Sequence, residues 1–176
     1  MAQLLRPTKR AKKQNLSTVT LGYLNSKHGS FKSKYLKRMR ILFDTGCGAT
    51  LIHHSLVDQQ KSKTDKICKW STTAGRFKTT KTCKINFMLP AFYKHRNVCW
   101  MAFVDKTDKL TSQYDMIIGR DLLDIMLINF LFSQNLMEWD GATTPMIDPD
   151  RLGTDSIDYL EMEIFYIGDP LTTEAE

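Results

Sequence analysis

At 176 residues and 42% hydrophobic composition, the chain can build one ordinary core with tails and is not disordered throughout. Its net charge of +6 hides a polarised layout: residues 1–43 carry eleven Lys or Arg and no acid, whereas Glu138 to Glu176 carry eleven acids against Arg151 alone. No apolar run approaches the roughly 20 residues of a membrane span, and no apolar stretch of signal-peptide type follows the basic N-terminus, so the expectation is an intracellular, soluble protein without a membrane partner.

In chain order, residues 1–16 read as a basic flexible arm, able to make weak phosphate contacts with nucleic acid, although a solvated tail is the plainer reading. Thr18 to Leu24 alternates like a strand. The turn cluster Asn25 to Ser30 predicts a hairpin into a second strand over Leu36 to Phe43. Thr50-Leu51-Ile52 predicts a returning strand, followed by a polar connection over Asp58 to Lys66. Trp70 to Thr80 predicts a hairpin turning near Gly75. Further strands are expected over Cys83 to Leu89, Val98 to Val104 and Asp115 to Ile118. A helix starting near Arg120 then buries a stripe of Leu122, Leu123, Ile125 and Met126. Asn129 to Phe132 and Leu136 to Trp139 form a last hairpin turning at Gln134-Asn135, and residues 141–176 read as an acidic linker or tail. Within that tail the apolar patch Ile157 to Ile167 reads either as a late strand or as the start of a longer connection.

Two motifs carry chemistry. Asp44-Thr45-Gly46 leaves an apolar strand and enters a run of small residues, Cys47-Gly48-Ala49-Thr50. A tight turn of this kind lets backbone amides and a hydroxyl approach a carboxylate closely. By itself it is equally an ordinary turn, since Asp, Thr and Gly are common there. The second motif, Ile117-Ile118-Gly119-Arg120-Asp121-Leu122-Leu123, places two apolar residues before Gly, Arg and Asp. Together and in this order, the two motifs resemble the retropepsin family of aspartic proteases over Val19 to Trp139, and most nearly the protease region of long-terminal-repeat retrotransposon polyproteins.

The resemblance implies an all-β acid-protease barrel over residues 17–140 with one short C-terminal helix, completed as a homodimer. The chain contains one Asp-Thr-Gly, so a second copy would supply the second carboxylate of the dyad. Asp44 would activate water, Thr45 would link the two loops across the two-fold axis, and Gly46 would offer its carbonyl to substrate. Gly48 and Ala49, with Thr73, Ala74 and Gly75 at the tip of a flap, would line the peptide, while Trp70 and Phe77 would anchor the flap. Thr50 would brace the loop, and Ile117, Ile118, Gly119, Arg120 and Asp121 would support it from behind. Arg120 ordinarily pairs in this family with an acid where Gly48 stands, and a glycine is ordinary where Leu127 stands. The implied activity is polyprotein cleavage, without metal or cofactor, in the cytoplasm or a virus-like particle.

Two other readings stand beside this one. The first is a catalytically silent retropepsin-like dimerisation or peptide-binding module, for which Gly48 argues. The second is a basic RNA-associated polyprotein segment, which lacks a zinc knuckle, stacking motif or helix-turn-helix pattern. Cys47, Cys68, Cys83 and Cys99 contain no Cys-x-x-Cys pair and read as reduced thiols rather than a zinc site. His53-His54 read as surface or partly packed side chains, and the nine methionines as core filler.

Overall fold

A computed structural model describes residues 15–26, 33–57, 62–72, 75–108 and 113–152. The basic arm through residue 14, the flap-tip pair Thr73 and Ala74, and the tail from residue 153, with its Ile157 to Ile167 patch, lie outside the described residues.

The described residues form ten strands and one α-helix: β1 (Val19–Asn25), β2 (Leu36–Phe43), β3 (Leu51–His53), β4 (Lys63–Thr72), β5 (Gly75–Met88), β6 (Asn97–Asp105), β7 (Met116–Ile118), α1 (Arg120–Met126), β8 (Asn129–Leu131), β9 (Leu136–Trp139) and β10 (Ala142–Pro145). The main sheet runs β1-β2-β7-β3-β6-β5-β4, and β1 also pairs with β5, which closes six strands into a ring with β4 outside it. Closure explains why every residue of β1 is buried on both faces, where its alternating sequence predicts one wet face.

The short β7 is inserted between β2, which it pairs in parallel, and β3, which it pairs antiparallel. A bidentate ion pair fixes its entry. Arg40 Nε donates to Asp115 Oδ2 at 3.1 Å and its Nη2 to Oδ1 at 3.2 Å; the Arg40 main-chain N–H also donates to Asp115 Oδ2 at 2.8 Å, and the Asp115 N–H donates to Arg40 O at 2.8 Å. The ring is filled by Met39, Ile41, Phe43, Ile52, Phe87, Met116, Ile118 and Leu122, all at most 2% exposed. Phe43 meets Phe92 edge-on at 6.3 Å, and Phe92 meets Trp139 in the same way at 5.9 Å, which ties the strand before Asp44 to the small β8–β9–β10 sheet.

Four expectations are corrected here. The flap arm and the strand predicted from Cys83 are one continuous 14-residue strand, β5. β4 already begins at Lys63, inside the segment read as a polar connection. Ile125 does not join the buried stripe of α1, for it is 67% exposed while Leu122, Leu123 and Met126 are buried. Seven residues are too few for a helix to stand alone in water. The three buried side chains, worth roughly 2 kcal/mol each, hold it.

Finally, the chain does not become a linker at Gly141. Asp140 (φ 48°) and Gly141 (φ 83°) both adopt left-handed conformations, as a two-residue hairpin turn requires, and β10 folds back on β9. Ser17 N–H then donates to Ile147 O at 2.9 Å, joining the two ends of the described domain.

Leu127 ends α1 at φ 55° and ψ 45°, a left-handed cap usually given to glycine, with its side chain 73% exposed. Leu127→Gly therefore relieves backbone strain at little cost in packing. It is expected to stabilise the protein by about 1 kcal/mol, read as a rise of about 2–4 °C in thermal melting.

Candidate functional site

β2 delivers Asp44 to the end of the ring, and main-chain bonds hold the loop on either side of it. Phe43 N–H donates to Thr18 O at 2.9 Å, and Thr18 Oγ1 donates back to Phe43 O at 2.7 Å. Asp44 N–H donates to Ile118 O at 3.0 Å, and Cys47 N–H to Asp44 O at 3.2 Å. The Asp44 carboxylate itself is half-buried and accepts the Gly46 N–H at Oδ1, 2.8 Å away. Among the described residues this is the bond that orients the carboxylate. Thr45, Gly46 and Gly48 are exposed beside it, and Ala49 is half-buried.

Gly119 supports the loop from behind. A Cβ there would overlap the Ala49 carbonyl and sit 2.8 Å from Cys47 O, so a side chain is excluded by backbone rather than by a movable neighbour. The close approach permits two further bonds: Arg120 N–H to Cys47 O at 2.8 Å and Asp121 N–H to Gly48 O at 3.3 Å. Fully buried Thr50 sits at the centre of this packing. Its hydroxyl accepts the Gly119 N–H at 3.2 Å and donates to Asp121 Oδ1 at 2.8 Å. Asp121 also accepts the Leu122 N–H at Oδ1 (2.8 Å) and the indole N–H of Trp100 at Oδ2 (3.0 Å).

The structure thus brings together Asp44, Thr45, Gly46, Gly48, Ala49, Thr50, Gly119, Arg120 and Asp121. Ile118 is fully buried behind them, whereas Ile117 is only partly covered. The Arg120 side chain is exposed, and no ion pair engages it among the described residues. Gly48, where the resemblance expects its acid, has open space in the direction of a side chain. Gly75 stands at the start of β5 with φ 127°, a conformation that favours glycine. Trp70 and Phe77 are direct cross-strand partners, stacked at 6.1 Å, and Trp70 also meets Phe103 of β6 at 5.5 Å, which anchors the hairpin to the body.

Trp100, Thr18 and the Arg40–Asp115 pair escape sequence reasoning, because each acts through a contact remote in sequence. His53 departs from its expected exposure. It is 3% exposed, with Nε2 at 3.0 Å from Thr107 O and Nδ1 accepting the Ser55 N–H at 3.2 Å. His54 and Asp108 lie near enough to form a three-ligand group with it. With both His53 nitrogens engaged by protein atoms, however, no lone pair is left for a metal.

This architecture is similar to a solved structure, the retroviral protease-like domain of Ddi1 from Leishmania major. The TM-score is 0.50 and the identity 13%, covering 77% of this chain and 97% of that one. No protein-family model and no curated protein matches the chain. At that identity the likeness defines the fold: an all-β, retropepsin-like domain with one helix.

Two outcomes are expected at the loop. Thr50→Val strands the buried Gly119 N–H and removes one of the two bonds to Asp121 Oδ1, and should cost about 1–3 kcal/mol in urea unfolding, whereas Thr50→Ser should recover most of it. Cys47 concerns reactivity. Burial is the main cause pushing its thiol above the ordinary value; the charges of Asp44 and Asp121 act in the same direction, against the lowering effect of a hydrogen bond with the Ala49 backbone. A raised pKa means less thiolate at a given pH. Iodoacetamide at about pH 8 should therefore modify exposed Cys99 well before Cys47, as mapped by mass spectrometry.

Proposed function

We propose that this domain is an aspartic endopeptidase that acts as a homodimer, with Asp44 from each copy forming the dyad, and that its substrate is a polyprotein of the retrotransposon type. The observation that carries the reading is the loop itself. A carboxylate at the end of a strand is oriented by the amide two residues on and left partly open, while backbone bonds and the Thr50 hydroxyl hold the loop around it. The cavities near β1, α1 and the β4–β5 hairpin do not include Asp44. An open-faced carboxylate in a single copy is what a site built from two copies leaves.

In the dimer the two carboxylates share one proton, because like charges this close cannot both ionise easily. The ionised carboxylate takes a proton from water, whose oxygen attacks the scissile carbonyl carbon, while the protonated one donates to the carbonyl oxygen. Collapse of the resulting gem-diol passes a proton to the amide nitrogen and breaks the C–N bond. The β4–β5 hairpin would act as the flap that covers the peptide.

Exposed Arg120 and the bare Gly48 favour a second reading, a silent module that keeps the fold for dimerisation or peptide binding. One experiment separates them: cleavage of a peptide library from about pH 4 to about pH 7, alongside sedimentation of the same sample. Under the protease reading, cleavage is strongest at mildly acidic pH and falls as the shared proton is lost. It is inhibited by a pepstatin-type compound and abolished in Asp44→Asn while the dimer persists. A dimer that cleaves nothing establishes the silent module instead.

A further inference from the structure

The β4–β5 hairpin has a face that the protease reading leaves unused. Directly paired residues of an antiparallel ladder lie on the same face, so the register divides the hairpin in two. Trp70, Phe77 and buried Thr79 share one side, and the Trp70 ring meets Phe103 of β6. The other side presents Lys63, Lys69, Arg76, Lys78 and Lys84, all exposed. Lys69 and Lys78 are direct cross-strand partners, a placement in which like charges oppose pairing. Neither has an ion-pair partner among the described residues. The sequence of the hairpin contains a single acid, Asp65, in the irregular stretch between Thr64 and Cys68.

The wider charge distribution runs the same way. Residues 1–84 hold nineteen Lys and Arg against three acids, while residues 85–176 hold six against sixteen. Side chains on one face of a strand recur about every 6.8 Å, so Arg76 and Lys84 stand roughly 27 Å apart, with exposed Thr80 and buried Thr82 between Lys78 and Lys84. Lys69 and Lys63 lie on the adjacent strand, about 4.8 Å to one side. Cations spread over this length fit a linear polyanion better than any single carboxylate. Among polyanions, a phosphodiester strand carries a fixed charge on every unit, whereas an extended acidic peptide turns every second side chain away. Trp70 and Phe77 lie on the opposite face from Lys69, Arg76 and Lys78, so contact here is to phosphates and carries no base readout.

We propose that the cationic face of the β4–β5 hairpin binds the phosphodiester backbone of a nucleic acid without sequence preference. The proposal is independent of whether the domain cleaves peptides.

The test is fluorescence anisotropy with the full-length chain and three probes: a labelled single strand of about 20 nucleotides, its duplex, and a polyglutamate peptide of similar charge. Because the N-terminal arm also attracts phosphates, Arg6, Lys9, Arg10, Lys12 and Lys13 are all changed to Gln in the full chain first. In that background one or both nucleic acids should bind, and comparison of the two shows which form is preferred. Lys69→Gln with Lys78→Gln should weaken binding severalfold. It should also flatten the slope of log affinity against log salt by about 1.4 on the single strand, or about 0.7 for each lost contact. Lys69→Glu alone controls for folding: it sets an opposite charge against Lys78, so the melting temperature should rise while nucleic-acid binding falls. Unchanged affinity in the double variant overturns the proposal. Binding of polyglutamate as tight as that of nucleic acid also overturns it, in favour of an acidic protein partner.

Discussion

The absence of a side chain at residue 119 is the constraint on which the rest of the site depends. It lets the backbone between β7 and α1 rest directly on the Cys47 and Ala49 carbonyls, and from that contact follow the two amide bonds that Arg120 and Asp121 give to the Asp44 loop. The Thr50 hydroxyl completes the arrangement as acceptor on one side and donor on the other. Buried amides and hydroxyls are costly when unpaired, so one arrangement of this loop is favoured over its neighbours. Among the described residues the Gly46 amide then orients the Asp44 carboxylate, which stays half-buried.

That rigidity is passed outward through pairs that join distant parts of the chain. Arg40 and Asp115 fix β7 beside β2, so the strand that carries Asp44 and the strand that precedes Gly119 arrive in register. Trp100 reaches Asp121 from β6 and links the outer wall of the ring to the helix start. Phe43, Phe92 and Trp139 extend the core into the small sheet. The hairpin that projects from β5 follows a different rule. Its aromatic side is spent on attachment to β6, which leaves a side with no core to cover and a composition dominated by cations.

Much of this was legible in the sequence because it is local. Asp44-Thr45-Gly46 and Ile117 to Leu123 have a short-range pattern, and a strand that ends in a tight turn or a helix that starts after Gly119 follows from neighbouring residues alone. The Asp140-Gly141 turn is equally legible from its two residues, but the acids and prolines around it give the segment the composition of a linker. Ile125 matched the helical period and still lies outside, since a seven-residue helix buries only the narrow stripe that its neighbours can cover. The sequence by itself determined the strands, the carboxylate loop and the residue types that brace it, since these depend on period, turn chemistry and the size of a side chain. Only the tertiary structure decided that β1 closes on β5, that Trp100 and Arg40 are partners of Asp121 and Asp115, and that the hairpin cations share one face. Each of these depends on which distant strands meet and in what register, a choice made by the packing of the whole core.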